Sequence, residues 1–295
     1  MRKIILLNIL SVTLLSATAY ARDAIVFKQW SPPRIVSVNP DGSDFRVIQE
    51  NAAAFTVSPD KSKMIVFGED CLKQDICTIT AYDLNKSTKS NISRPHAEWL
   101  MGKWLSNEEY YVYREVRQDN GGHACGPGDP ESGCAARAII QTAKFNVNSL
   151  SFAIDNDYGV GNYEALENYF PSQPQETPPS NSPDNKFLLE WEGSEYWKKA
   201  LVVAESGSHK KNTIFQRKPA DFAEGYSFTT SPWSPDAKLF VLDYYPGGLF
   251  YTMFSGKHKI VVVDRVTLRK RTIGKGEQPY WLPSLPNSFI ATSKK

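Results

Sequence analysis

The stretch that decides the fold is Val57-Ser58-Pro59-Asp60-Lys61, which leads into the apolar segment Met64-Ile65-Val66-Phe67. Two further copies keep the same order: Asn181-Ser182-Pro183-Asp184-Asn185 before Phe187-Leu188-Leu189, and Trp233-Ser234-Pro235-Asp236-Ala237 before Leu239-Phe240-Val241-Leu242. In each copy, Pro fixes the backbone φ of a tight turn and the Ser or Asp side chain hydrogen-bonds local backbone. The segment after the turn is rich in β-branched and aromatic residues, so each copy predicts a turn followed by a strand.

Two degenerate copies of the turn lie between and after these three. They are Trp104-Leu105-Ser106-Asn107-Glu108, before Tyr110-Tyr111-Val112-Tyr113, and Trp281-Leu282-Pro283-Ser284-Leu285-Pro286, before Phe289-Ile290-Ala291. Strand-like segments follow within the units, such as 77–84 as a third strand and 267–273 as a fourth. Four short antiparallel strands in a repeating unit of about 50 residues are typical of a β-propeller blade.

We therefore predict an all-β chain that forms a single β-propeller domain over residues 22–295, with five blades favoured. The interval between the second and third turns is longer than the others, and two inserted loops, near 118–134 and 169–181, account for its extra length. Strands near 35–48 are expected to complete the blade begun by 279–292, which closes the ring and removes sheet edges. Six blades and a β-sandwich are the alternatives.

The segment Ile35-Val36-Ser37-Val38-Asn39-Pro40-Asp41-Gly42-Ser43-Asp44-Phe45-Arg46-Val47-Ile48 resembles the inner-to-outer hairpin of the TolB-type β-propeller family. That family joins two strands by Asn-x-Asp-Gly-Ser and follows them with Ser-Pro-Asp-Gly-Lys. Lys61, Asn185 and Ala237 stand where the family has Gly, so the chain resembles a divergent member of the repeat superfamily. The resemblance covers most of 35–292 and implies contacts with other proteins in the periplasm.

Residues 1–21 have the three parts of a cleaved signal peptide: a basic start at Arg2 and Lys3, an apolar run over 4–15, and the small-residue site Ala19-Tyr20-Ala21. We expect cleavage after Ala21 and a periplasmic or secreted protein. No other stretch is long and apolar enough to span a membrane.

The charge balance changes when the signal peptide is removed. Loss of Arg2 and Lys3 takes the 34 basic residues to 32, equal to the 32 acidic residues. The basic runs that remain are short and separated, so nucleic acid is not an expected partner.

The four cysteines all lie in the part of the chain that would be exported. Four cysteines permit three pairings, and the pairs Cys71–Cys77 and Cys125–Cys134 close the least chain. Disulfides are favoured in an oxidising compartment. Zinc is the competing interpretation because His123 lies beside Cys125, but neither pair has the spacing of a zinc finger. We expect no metal site and no cofactor.

No catalytic residue is assigned from the sequence. The chain lacks the nucleophile elbow of serine hydrolases, the zinc-protease pattern and the Gly-rich loops that bind nucleotides. Asp60, Asp184 and Asp236 belong to the repeat turns, where an acid usually bonds local backbone. The enzymatic alternative is a carbohydrate hydrolase or lyase with acidic residues at the central mouth of the propeller.

The repeat leaves two segments unexplained, the cysteine loop 119–135 and the aromatic segment 244–257. Aromatic and Met side chains on loops commonly anchor protein interfaces. The candidate interaction loop therefore comprises Tyr245, Phe250, Tyr251, Met253 and Phe254. An ordinary hairpin packed on a neighbouring blade is the alternative for this segment.

The tryptophans divide into two groups. Trp104, Trp233 and Trp281 occupy matching repeat positions and are interpreted as packing residues, whereas Trp191 and Trp197 flank a turn and could bind a ligand.

The predicted function is non-catalytic binding of another periplasmic or envelope protein, as an adaptor or an immunity-type inhibitor. A monomer is expected. A lectin-like sugar binder is a third, less favoured possibility because the repeats are too divergent for one similar site in each blade.

Overall fold

The computed structural model describes residues 23–72, 76–95, 101–117, 138–158, 179–193, 199–217, 225–245, 258–282, 285 and 287–289. These residues are almost entirely β-structure, with short 3-10 helices at Glu69–Leu72 and Asn287–Phe289. The strands are β1 (Ala24–Trp30), β2 (Pro33–Val38), β3 (Arg46–Glu50), β4 (Ala52–Val57), β5 (Lys63–Gly68), β6 (Ile76–Asp83), β7 (Thr88–Pro95), β8 (Met101–Trp104), β9 (Glu109–Arg117), β10 (Ala138–Asn146), β11 (Ser151–Tyr158), β12 (Ser180–Asn181), β13 (Phe187–Glu192), β14 (Ala200–Glu205), β15 (Lys211–Gln216), β16 (Gly225–Ser227), β17 (Leu239–Tyr245), β18 (Lys259–Asp264), β19 (Lys270–Lys275) and β20 (Glu277–Leu282).

The strands form five four-stranded antiparallel sheets, which fits a β-propeller. Four sheets use consecutive strands: sheet 2 is β4–β7, sheet 3 is β8–β11, sheet 4 is β12–β15 and sheet 5 is β16–β19. Sheet 1 has the order β20-β1-β2-β3 and so combines the last strand with the first three. The repeat turns at 58, 106, 182 and 234 each lie between the first and second strands of a sheet.

Sheet 1 differs in one respect from the sequence prediction. The strand that pairs with β20 is β1, through the partners Ile25 with Trp281 and Val26 with Tyr280, and the sequence analysis had not identified β1. Because β1 fills the place beside β20, the chain after Leu282 does not continue as the second strand of that sheet. Phe289, expected in a strand, lies in a 3-10 helix and packs edge-on against Tyr82, with ring centroids 5.1 Å apart.

Four apolar clusters hold neighbouring sheets together. One joins sheets 1 and 5, a second joins sheets 1 and 2, a third joins sheets 2 and 3, and a fourth joins sheets 4 and 5. The side chain of Trp281 lies in the first cluster and that of Leu282 lies in the second. Since successive side chains of a strand point to opposite faces, β20 contributes to the packing on both sides of sheet 1.

In sheets 3, 5 and 1, the tryptophan at the repeat position contacts the preceding sheet. The Trp104 indole N–H donates to Thr56 Oγ1 of sheet 2 at 3.0 Å, and the Trp233 indole N–H donates to the Ser180 carbonyl of sheet 4 at 2.9 Å. Trp281 is buried between sheets 1 and 5, but its indole nitrogen has no hydrogen-bond partner within the described residues. The interpretation of these three residues as packing residues is confirmed.

The Ser-Pro-Asp turns use their polar side chains locally, as the sequence predicts. Ser58 Oγ donates to Asp60 Oδ1 at 2.7 Å, and the equivalent pair in the third copy, Ser234 and Asp236, is 2.8 Å apart. The residue after each Asp has a left-handed backbone, with φ of 61° at Lys61, 54° at Asn185 and 58° at Ala237. These are the positions where the TolB-type pattern has Gly, because Gly adopts positive φ without a steric cost.

Because the strands of each sheet are antiparallel, successive connections lie alternately at the two ends of the sheet. The turns between first and second strands, and between third and fourth strands, lie at one end, which we call the short-turn end. The connections between second and third strands, and from each sheet to the next, lie at the opposite end, which we call the loop-rich end. The strands that flank the long connections 118–137 and 159–179 end at the loop-rich end.

Candidate functional site

The loop-rich end collects the segments that the sequence analysis singled out. The described strands that flank 118–137, 159–178, 194–198 and 246–257 all end there, while these segments themselves lie outside the described residues. The predicted signal peptide over 1–21 is also outside. The same holds for part of the candidate interaction loop, the second predicted cysteine pair and one tryptophan: Phe250, Tyr251, Met253, Phe254, Cys125, Cys134 and Trp197.

The predicted Cys71–Cys77 disulfide is present, and both cysteines are buried. It joins the 3-10 helix after β5 to the start of β6, and therefore lies at the loop-rich end of sheet 2. The Asp70 carboxylate supports this connection by accepting hydrogen bonds from the Thr78 backbone N–H at 3.2 Å and from Thr78 Oγ1 at 2.6 Å.

A cluster of charged and aromatic side chains at the loop-rich end links sheet 1 to sheets 5 and 4. We call it the loop-end network; its members are Lys28, Trp30, Trp191, Arg217, Asp243, Tyr245, His258 and Glu277.

The sheet 1 part of the network is an ion pair beside an aromatic ring. Lys28 Nζ lies 3.4 Å from Glu277 Oε1 and 3.3 Å from the ring centroid of Trp30. Lys28 is only 4% exposed, whereas Trp30 is 40% exposed. The ion pair therefore holds an aromatic ring in a fixed position at the surface.

The sheet 5 part is a hydrogen-bonded acid and imidazole. His258 Nδ1 lies 2.7 Å from Asp243 Oδ1. The His258 carbonyl accepts the backbone N–H of Gly276, the residue before β20, at 3.0 Å. The acid and imidazole of sheet 5 therefore lie against the start of β20 in sheet 1.

Burial and mutual interaction shift the pKa values of all four charged groups. Burial raises the pKa of Asp243 and of Glu277, and the charges of His258 and Lys28 offset this only in part. Burial lowers the pKa of Lys28 despite its partner Glu277. Burial also acts to lower the pKa of His258, but the hydrogen bond and charge of Asp243, together with Glu277, outweigh it and raise that pKa.

The network continues toward sheet 4 through the one described member of the candidate interaction loop. The ring of Tyr245 lies 5.9 Å from that of His258, and Arg217 Nη2 donates to Tyr245 Oη at 3.2 Å. The Arg217 guanidinium lies 5.1 Å from the ring centroid of Trp191, one of the two tryptophans predicted to be available for binding.

Sequence reasoning did not find the charged members of the network. Lys28, Asp243, His258 and Glu277 are distant in sequence, and only the pairing of β1 with β20 and the packing of sheet 1 on sheet 5 bring them together. A signal was present: Lys28 and Asp243 are charged residues inside apolar strands, AIVFKQW and LFVLDYY. By contrast, the repeat residues Asp60, Asp184 and Asp236 lie at the short-turn end, away from this network.

The Asp243–His258 pair predicts a measurable pH dependence. Since the folded pKa of His258 is raised above 6.5, its stabilising contribution is fully present below pH 6.5 and is lost as the pH rises through the folded value. We expect the difference in unfolding free energy between the wild type and His258→Gln to shrink from pH 6 to pH 9. NMR titration of His258 should show a pKa above 6.5 that falls in Asp243→Asn. An unchanged His258 pKa in that variant would contradict the pairing.

No family model and no curated protein matches this chain. Its fold resembles TolB from Acinetobacter baumannii, at 10% identity over 89% of this chain and 67% of that chain, with a TM-score of 0.42. It also resembles the β-propeller domain of the Trilobed protease from Pyrococcus furiosus, at 12% identity, 82% and 63% coverage and a TM-score of 0.27. An oligogalacturonate lyase in complex with manganese matches at 14% identity, 83% and 59% coverage and a TM-score of 0.28.

These TM-scores are low, so the fold is established by the strand pairing of the chain itself. Within the described residues, no helix combines the length and the apolar character that a membrane crossing requires.

Proposed function

We propose that this chain is an exported, TolB-like, five-bladed β-propeller that binds another protein of the periplasm or cell envelope at its loop-rich end. The five sheets would be the blades, and the pairing of β1 with β20 would close the ring. The observation that carries the binding role is the contrast between the two ends. Short hydrogen-bonded turns occupy one end, while the long connections and the loop-end network occupy the other.

The network supports binding because it holds side chains at fixed positions before a partner arrives. The Trp30 ring contacts the Lys28 ammonium group, which Glu277 pairs, yet the ring remains partly exposed. Interface residues that contribute most to affinity are enriched in Trp, Tyr and Arg, and pre-ordering reduces the entropy lost on binding. Trp30, Tyr245 and Arg217 are residues of these types. The role is non-catalytic in this proposal, as an adaptor or an immunity-type inhibitor.

Export is supported by the signal-peptide pattern over 1–21 and by the Cys71–Cys77 disulfide, since disulfides persist in oxidising compartments. A second disulfide between Cys125 and Cys134 would stiffen the longest connection of sheet 3. We expect mass mapping of the protein purified from the periplasm, without reductant, to recover both disulfide-linked peptides and an N-terminus at Arg22.

The test uses two exposed aromatics at opposite ends of sheet 1. Trp30 lies at the loop-rich end and is 40% exposed, and Phe45 lies at the short-turn end and is 46% exposed. The mature chain should retain a stoichiometric partner from envelope extract, identified by mass spectrometry. With the purified partner, Trp30→Ala should weaken affinity by about tenfold or more, and Phe45→Ala should leave it unchanged. Equal effects of the two variants would contradict a loop-rich interface, and failure to retain any protein would contradict the proposed function.

An enzymatic role is the second candidate, favoured by one observation: Asp243 and Glu277 are two neighbouring carboxyl groups whose pKa values are both raised. Such pairs occur at catalytic sites, where an acid must remain protonated. A polysaccharide hydrolase or lyase would release reducing or unsaturated ends in a glycan screen, and Asp243→Asn would abolish that release. Activity retained in Asp243→Asn and in Glu277→Gln would exclude these two residues as the catalytic acids.

A further inference from the structure

Two grooves occupy equivalent positions at the short-turn end of different sheets. The smaller, of about 150 Å³, lies on sheet 2 beside the turn of sheet 3 and is lined by Lys63, Asp83, Thr88 and Ser90, among others. The larger, of about 400 Å³, lies on sheet 5, and we call it the sheet 5 groove. Its lining includes Leu239, Val262, Asp264, Arg269 and Arg271.

Strand pairing shows which residues of the two grooves are equivalent. Lys63 pairs with Asp83 in sheet 2, and Leu239 pairs with Asp264 in sheet 5. Thr88 and Ser90 follow Asp83 by five and seven residues, and Arg269 and Arg271 follow Asp264 by the same numbers. Thr88 is therefore equivalent to Arg269, and Ser90 to Arg271. The sheet 5 groove thus has Leu239 in place of Lys63, Thr267 in place of Lys86, and two guanidinium groups in place of two hydroxyls.

These differences change the charge balance of the groove. In sheet 2, Lys63 Nζ and Asp83 Oδ2 form an ion pair at 2.5 Å, so the two charges cancel. In sheet 5, the Asp264 carboxylate accepts the Val266 and Thr267 backbone N–H groups at 3.0 and 2.7 Å. The Asp264 side chain is therefore used within its own turn.

The two arginines of the sheet 5 groove have no such partner. Within the described part of the chain, neither Arg269 nor Arg271 forms an ion pair. Asp41, on the neighbouring hairpin of sheet 1, is held by Ser43, whose hydrogen bonds are the main cause of its lowered pKa, with Arg271 contributing at longer range. Lys270, between the two arginines, also lines the groove, but its Nζ donates to the Ile214 carbonyl at 2.8 Å.

On two other outer strands a basic side chain forms ion pairs, whereas Lys89 on β7 forms none within the described residues. On β3, Arg46 lies 2.7 Å from Asp44. On β15, Lys211 forms ion pairs with Glu190 and Glu192. Lysine and arginine on an edge strand commonly serve only to prevent aggregation. Two exposed arginines at the border of a groove, without an ion pair among the described residues, add a recognition surface to that protective role.

We propose that the sheet 5 groove binds an extended acidic segment of a partner protein, with carboxylates at alternate positions contacting Arg269 and Arg271. Side chains on one face of a strand recur every second residue, about 6.6 Å apart. A segment of the pattern acid-x-acid beside β19 would therefore place its two carboxylates opposite the two guanidinium groups, each of which can bind a carboxylate through two parallel hydrogen bonds.

The fold also offers a backbone partner for such a segment. β19 is the outermost strand of sheet 5, and its outer edge forms no ladder within the described residues. An extended peptide can add to such an edge by main-chain hydrogen bonds, which would place its acidic side chains beside Arg269 and Arg271. This surface is separate from the loop-rich end and does not depend on the function proposed there.

The binding test uses the full mature chain and a fluorescein-labelled acetyl-Val-Asp-Val-Asp-Val amide, with anisotropy measured at physiological ionic strength. Arg269→Gln/Arg271→Gln should lower the affinity by about tenfold or more. The matched control is Lys86→Gln/Lys89→Gln, which removes two cations from the equivalent turn of sheet 2 and should change affinity less than about twofold. The Asn-for-Asp peptide should not bind. Trp30→Ala should leave peptide affinity unchanged, so this result is independent of the loop-rich interface.

Several outcomes would overturn the proposal. They are the absence of binding by the wild type, equal losses in the two double variants, and binding of heparin or inorganic phosphate at these arginines without binding of the peptide. Hydrogen exchange tests the strand addition separately: the peptide should slow exchange of backbone amides in β19. All four substituted side chains are exposed, so equal unfolding midpoints should verify that the variants fold.

Discussion

Truncation after Lys275, which removes β20, is expected to abolish cooperative unfolding of the protein. β20 supplies Trp281 and Leu282 to two different apolar clusters and pairs with β1 along sheet 1. Truncating one large buried side chain typically costs about 3–5 kcal/mol. Losing several at once equals the whole stability of an ordinary domain, about 5–15 kcal/mol. Circular dichroism during urea titration should show a gradual change instead of a sigmoidal transition.

A circular permutant is the control, because it retains β20 but moves the chain ends away from the pair of β1 and β20. It therefore shows whether the strand itself, and not the position of the chain ends, supports the fold. New termini in the exposed turn at Gly207 and a flexible linker between the original ends would keep β20 beside β1 while moving both away from the chain ends. Both β20 and β1 meet this linker at the short-turn end. We expect the permutant to unfold cooperatively. If the truncated protein retained the wild-type transition, the pairing of β1 with β20 would not support the fold.

The second large effect is expected from Trp281→Ala, which should lower the unfolding free energy by about 3–5 kcal/mol. Trp281 is 1% exposed and packs with Phe27 and Val241 between sheets 1 and 5. Its removal leaves a cavity between two sheets whose backbones are fixed by their own ladders, so the gap cannot close easily. Phe45→Ala is the control for loss of an exposed aromatic ring, since Phe45 is 46% exposed, and should change stability by less than about 1 kcal/mol. Urea unfolding monitored by circular dichroism measures both variants.

Comparison of Trp281→Phe with Trp233→Phe isolates the indole N–H. Both changes remove similar volume from a buried site. The Trp233 N–H donates to the Ser180 carbonyl at 2.9 Å, whereas that of Trp281 has no partner within the described residues. Trp233→Phe should therefore be the more destabilising, by about 1 kcal/mol or more. Equal losses in the two variants would show that the hydrogen bond to Ser180 adds nothing.

The loop-end network and the sheet 5 groove lie at opposite ends of the same interface between sheets 1 and 5. The first contains the ion pair of Lys28 with Glu277 and the pair of His258 with Asp243, and the second presents two arginines that form no ion pair with any described residue. This difference fits two kinds of contact: a pre-ordered interface at the loop-rich end, and charge-directed docking of a flexible segment at the short-turn end. The variants Trp30→Ala and Arg269→Gln/Arg271→Gln test the two surfaces independently.

The repeat turns could be predicted because their determinants are local. Pro sets φ, and Ser58 and Asp60 hydrogen-bond within a few residues, so the sequence predicts the turn without knowledge of the fold. The close pairing of Cys71 with Cys77 was predictable for the same reason. β1 was missed because AIVFKQW has no repeat turn before it; its partner β20 is at the other end of the chain.

The sequence by itself determined the all-β architecture, the repeating turns and the short-range disulfide, because each depends on residues close together along the chain. Tertiary structure alone decided which charged residues meet. Lys28, Asp243, His258 and Glu277 become neighbours only after β1 pairs with β20 and sheet 1 packs on sheet 5. Likewise, only strand pairing places Arg269 and Arg271 beside the groove of sheet 5. A charged residue inside an apolar strand, such as Lys28 or Asp243, is a local signal, but it does not identify the partner, because burial and contacts between distant segments exist only in the folded chain.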